Sequence, residues 1–133
     1  MGYTHYWRRY REFTMGEWNR ICQRATRAIE ASKLESPHIR DVEIDKERIF
    51  FNGGCETFVL TREVPPRPDY WPKEEWEKTN GNGKGVFDCC KTRQAPYDSV
   101  VVDILKSAFL ASGSDAITLA SDGGVFEEYM EEQ

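Results

Sequence analysis

The sequence predicts an α+β fold, a single, mainly antiparallel sheet with two main helices packed on one face. Three observations carry this expectation. Two long segments place apolar residues at helical spacing, several short segments are rich in β-branched and aromatic residues, and the strands cluster between the helices instead of alternating with them. The expected order is β-α-β-β-β-loop-β-α-β. The 133 residues suit one domain over 1–133, and 39% apolar with 13% aromatic residues supply a core despite 31% charged ones.

Tyr3 to Trp7 is built from strong β-formers and reads as the first strand. Alternation places Tyr3, His5 and Trp7 on one face and Thr4, Tyr6 and Arg8 on the other. Thr14-Met15-Gly16-Glu17 has the form of a capping box with Phe13 as its staple, so a helix is expected over 14–34, ended by Ser36-Pro37. Trp18, Ile21, Cys22, Ala25, Ala28 and Ile29 form its buried face, with Arg20, Arg24 and Arg27 outside. Val42 to Ile44 and Arg48 to Phe51 read as hairpin strands about Asp45-Lys46-Glu47. Asn52-Gly53-Gly54 breaks the second of them, and Glu56 to Thr61 resumes as another strand.

Residues 64–84 carry Pro65, Pro66, Pro68 and Pro72, then Asn80-Gly81-Asn82-Gly83. They read as an inserted Pro/Gly-rich loop with at most one or two helical turns. Val86 to Cys90 is a strand. A second helix runs from Pro96 or Asp98 to Ala111, burying Val101, Ile104, Leu105, Ala108 and Phe109 and stopping at Gly113. Ala116 to Ala120 is the last strand, and the acidic 125–133 segment is a short terminal helix.

A net charge of −5 argues against stable nucleic-acid binding, although the basic residues gather in 1–27 and the acidic ones from 115 onward. No apolar run approaches the roughly 18 residues of a membrane span, and the N-terminus lacks a secretory pattern, so no membrane partner and a cytoplasmic location are expected. Cys22, Cys55, Cys89 and Cys90 lack metal-ligand or disulfide-framework spacing and read as reduced thiols. No metal and no cofactor are expected. NGNGKG at 80–85 is a loop tip and no phosphate-binding fingerprint, since no strand leads into it and no helix follows.

Binding has better support than catalysis. Lys91-Thr92-Arg93 leaves a strand and leads to the helix start at Pro96-Tyr97-Asp98, where free N–H groups and basic side chains can receive a phosphate. Asn52-Gly53 and Ser121-Asp122-Gly123 lie at strand ends, where backbone amides can form nests. With the opening aromatics, these stretches can enclose a small nucleotide-like ligand. Tyr3, His5, Tyr6 and Trp7 are then expected to frame the base. Lys91 and Thr92, with Arg8, hold phosphate, and Asn52, Asp98 and Ser121 read hydroxyls or base edges.

MGYTHYW at 1–7, FNG at 51–53, ETF at 56–58, CKT at 90–92 followed by PYD at 96–98, and SDG at 121–123 together resemble a family of small phage and prophage proteins that begin GYTHYW. The resemblance covers most of the chain and spares 64–84 and the acidic end. Relatives carry a CKTA-like run, from which Arg93 to Ala95 departs. That family has no established activity, so the resemblance implies a phage context and no mechanism. The resulting expectation is a non-enzymatic counter-defence protein in the host cytosol, sequestering a nucleotide-derived signal made by the host. One alternative is a protein-binding inhibitor of a host enzyme, acting through 64–84 and the acidic tail. Another is a nucleotide-processing enzyme using His5 with Cys89 or Asp98. A homodimer suits a pocket protein of this size, though no symmetric patch demands one.

Overall fold

In the computed structural model, which describes residues 3–33 and 38–131, the chain runs β1 (Thr4–Arg9), α1 (Met15–Ala31), β2 (Arg40–Ile44), β3 (Arg48–Asn52), β4 (Phe58–Thr61), α2 (Lys73–Asn80), β5 (Val86–Lys91), α3 (Asp98–Ser112), β6 (Ile117–Ser121) and α4 (Glu127–Glu131). The class is α+β, as the clustering of strands predicts. Ser36-Pro37, expected to end the first helix, lies outside the described residues; α1 stops at Ala31 with Ser32 as its cap.

The capping box forms as its residues dictate. Thr14 Oγ1 accepts from the Glu17 amide at 3.1 Å, and the Glu17 carboxylate accepts from the Thr14 amide at 2.8 Å. Arg11 donates to the same carboxylate and to Asp115, which ties the start of α1 to the segment before β6. The Arg11 guanidinium, with the Thr14 amide, holds the Glu17 carboxyl at about 2, well below the usual range.

The strands form two antiparallel three-stranded sheets, β5-β1-β6 and β2-β3-β4, where the sequence predicted one. The reason lies in β1. It has β5 on one side and β6 on the other, so both of its hydrogen-bonding edges are taken and the β2-β3-β4 meander cannot join through it. Side chains and loop amides link the sheets instead. Lys91 donates its amide to the Glu56 carboxylate, the Glu56 amide donates to the Lys91 carbonyl, and the Phe13 amide donates to the Arg62 carbonyl.

The core lies between the sheets and the α1–α3 pair. Trp7 meets Phe58 with ring centroids 5.6 Å apart, Phe58 meets Phe51, and Phe51 meets Tyr97 at the start of α3. Gly53 allows this closure, because a methyl at that position would run into the Tyr97 ring. Helix α3 buries Val100 and Val102 in addition to its predicted face, as suits a helix covered on more than one side. The 64–84 segment contains α2, about two turns long, as expected of an insertion that still satisfies its own backbone.

Candidate ligand-binding site

The register of β1 decides which predicted residues meet. Thr4 lies opposite Lys91, His5 opposite Cys90 and Ser121, Tyr6 opposite Cys89 and Ala120, and Arg8 opposite Phe87 and Thr118. The aromatic N-terminus and the lysine-bearing turn therefore do converge at one end of the β5-β1-β6 sheet. Alternation then divides them between two faces.

On the inner face, His5 Nε2 meets Asp98 Oδ1 at 2.6 Å, and Thr92 Oγ1 donates to the same oxygen. His5 and Thr92 are fully buried, whereas the Asp98 side chain keeps 22% of its exposure. Tyr3 and Phe126 pack edge-on against the imidazole. This cluster clamps the start of β1, the end of β5 and the first turn of α3. Trp7, 3% exposed, belongs to the core. Neither His5 nor Trp7 has an open ring face, which corrects the expectation that they frame a base.

The turns expected to cradle phosphate are closed. The Thr92 and Arg93 amides donate to the Tyr3 carbonyl, the Gln94 amide to Thr92 Oγ1, the Ala95 amide to the Thr92 carbonyl and the Asp98 amide to the Ala95 carbonyl. At the other strand end, the Asp122 amide donates to the Thr4 carbonyl and Ser121 Oγ accepts from the Val125 amide. Arg93 and Gln94 are consecutive residues with positive φ, 54° and 58°, a conformation held by these bonds. Asn52 lies in the other sheet, its side chain donating to Asp41 and accepting from Thr57. Thr92, Ser121 and Asn52 are thus engaged within the fold.

The outer face of the β5-β1-β6 sheet is different. Tyr6 and Phe87 lie side by side with centroids 5.9 Å apart, and Phe87 is 44% exposed. Beside them the Thr118 to Ala120 stretch of β6 completes the lining, and the step between the large rings and the small Thr118 and Ala120 side chains leaves a hollow of about 330 Å³. Arg8 borders it, its guanidinium 5.3 Å from the Phe87 centroid and its Nη1 donating to the carbonyls of Thr79 and Gly85. Tyr6 donates its hydroxyl to Asp122 Oδ1 at 2.8 Å, and that bond raises the phenol pKa above its ordinary value. Asp122 Oδ2 accepts from the Thr4 amide at 3.0 Å. Lys91 follows Phe87 and Cys89 on this face by alternation.

Phe87 and Asp122 were missed in the sequence. Both signals were present: Phe87 alternates with half-buried Asp88 and buried Cys90, and Asp122 sits beside Ser121 at the strand end. A Cys89–His5 pair does not form, because the two side chains project from opposite faces. The cysteine across from His5 is Cys90, whose thiol burial pushes up to about 12.

A second cavity, about 580 Å³, lies between the start of α1, the β2–β3 turn and Val64 to Pro66. It contains none of the predicted residues. Its arginines are already engaged, Arg48 with Glu43 and Arg62 with Glu12, and no aromatic ring lines it. Among the described residues, no helix is long and apolar enough to cross a membrane. No family model, curated protein or solved structure matches the chain.

Proposed function

We propose that this chain binds a small nucleotide-derived molecule on the outer face of the β5-β1-β6 sheet and holds it without turnover. One observation carries the reading: a pair of aromatic rings, Tyr6 and Phe87, stands at an open hollow where, among the described residues, Arg8 is the charged group in the lining. Flat rings stack on such a platform, and a guanidinium favours phosphate. Lys91 adds positive charge farther along the same face. Among the described residues, Cys89 on that face has no histidine beside it, since His5 projects from the opposite face, and this supports binding over processing.

The resemblance to phage and prophage proteins gives the context of counter-defence in a host cytosol, where the ligand is a signal made by the host. Calorimetry with a panel of cyclic, linear and ADP-ribose-type nucleotides tests this, followed by denaturation and mass analysis of what is released. Saturable heat with one member, returned intact, is the expected outcome. No heat with any member at protein concentrations well above micromolar contradicts it, and a chemically altered ligand makes the protein an enzyme.

A second reading has one observation in its favour. Tyr70 in the inserted segment is 85% exposed, and an aromatic so placed suits a protein partner, as in an inhibitor of a host enzyme. Tyr70→Ala leaves nucleotide binding unchanged under the first reading and abolishes inhibition under the second.

A further inference from the structure

The two ends of the outer face carry opposite chemistry, and the hollow, which Arg8 lines and which reaches Ala120 two residues short of Asp122, is small. Arg8 lies across from Thr118, and Asp122 lies four residues farther along the same strand direction, just past Ser121. At the usual rise of about 3.3 Å per residue, their backbones stand about 13 Å apart. That span matches a phosphate, a sugar and one base in line. The hollow, about 330 Å³, is near the lower end of ligand-site volumes and accommodates one ring system beside Tyr6 and Phe87.

Asp122 has capacity left for a ligand. An ionised carboxylate offers about four acceptor positions, and Asp122 uses one on each oxygen, for the Tyr6 hydroxyl and the Thr4 amide. Those two bonds fix the orientation of the carboxylate and its remaining lone pairs. Such a group accepts a pair of parallel N–H donors, the pattern at the N1–N2 edge of guanine. Arg8 is similarly fixed, since its Nη1 is held by two carbonyls while its ring contact with Phe87 sets the guanidinium plane.

Resting on the proposed nucleotide-binding function, we propose that the site takes a single purine mononucleotide in one orientation. Its phosphate lies at Arg8, its base in the hollow over Thr118 and Ala120, and its donor-bearing edge at Asp122. Asp122 is then the specificity-determining residue, and a ligand with two bases is too large.

Calorimetric titration of the full chain with guanosine 5′-monophosphate, inosine 5′-monophosphate, guanosine and a cyclic guanine dinucleotide tests this. Guanosine monophosphate should bind one to one and about tenfold more tightly than inosine monophosphate, which lacks the 2-amino group. Arg8→Gln should weaken guanosine monophosphate about tenfold and leave guanosine unchanged. Asp122→Asn should remove the preference between the two monophosphates, whereas Tyr6→Phe, which removes the hydroxyl's hydrogen bond to Asp122 but keeps the carboxylate, should retain it. Loss of the preference in both variants would make the part of Asp122 structural and overturn the assignment. Equal affinity of the two monophosphates for the unmodified chain, or tighter binding of the dinucleotide, would overturn the inference and leave sequestration standing. Silence with these four alongside heat from another nucleotide in the wider panel would do the same, and silence throughout would remove both.

Discussion

Arg9 shows most clearly what a single residue does in this fold. Its side chain projects from β1 into the core, 1% exposed, and donates to the Thr61 carbonyl at 2.5 Å and the Arg62 carbonyl at 2.9 Å. The guanidinium carbon stands 4.0 Å from the Phe13 ring centroid, and burial lowers the pKa to about 10. The group therefore remains charged at neutral pH and joins the end of one sheet to the end of the other. Arg9→Ala leaves two carbonyls without their donor and opens a cavity, with an expected loss of about 3 kcal/mol in urea unfolding. A loss below about 0.5 kcal/mol, the range of ordinary surface changes, contradicts this role. Residue type alone does not distinguish Arg9 from Arg8 and Arg11, because the run of arginines hides a buried residue among more exposed ones. Only the parity of β1, with His5 and Trp7 as its inner residues, would have marked it.

At the scale of elements, the inserted segment packs against the proposed platform and holds Arg8 and the β5 edge. Asn80 at the end of α2 accepts from the Phe87 amide at 2.8 Å and donates to the Trp76 carbonyl, so it covers an edge position of β5 while capping its own helix. The neighbouring Thr79 carbonyl holds Arg8. Asn80→Ala should cost about 1–2 kcal/mol, speed amide exchange at Phe87 and weaken ligand binding through a loosened Arg8. Unchanged exchange at Phe87 contradicts the docking of α2 on β5. The helices were legible because a capping box, a staple and apolar spacing all agreed for α1, and a glycine stop agreed for α3. The short hairpin strands were legible from their alternation and turn residues. The docking of α2 was not, since it rests on one side-chain amide and a backbone N–H distant in sequence.

Over the whole molecule, the sequence indicated the composition of the fold but not its division. Local patterns name strands, whereas partners are decided by which edges remain open, and β1 uses both of its own. The same limit shaped the site. Tyr3, His5, Lys91, Thr92, Asp98 and Ser121 gather at one strand end, yet alternation sends His5 and Trp7 inward and leaves Tyr6 and Arg8 outside. The part of the motif closest to the chain's beginning thus splits into a clamp and a platform. The hollow beside Tyr6 and Phe87 then competes for a small ligand with the larger one beside Val64 to Pro66. An amide correlation spectrum of the ¹⁵N-labelled protein, recorded during titration with the tightest nucleotide from the calorimetric panel, separates them most directly. The expected shifts fall on Tyr6, Arg8, Phe87, Thr118 and Ala120; shifts confined to Met15, Lys46 and Arg62 to Val64, or none at saturation, contradict the platform.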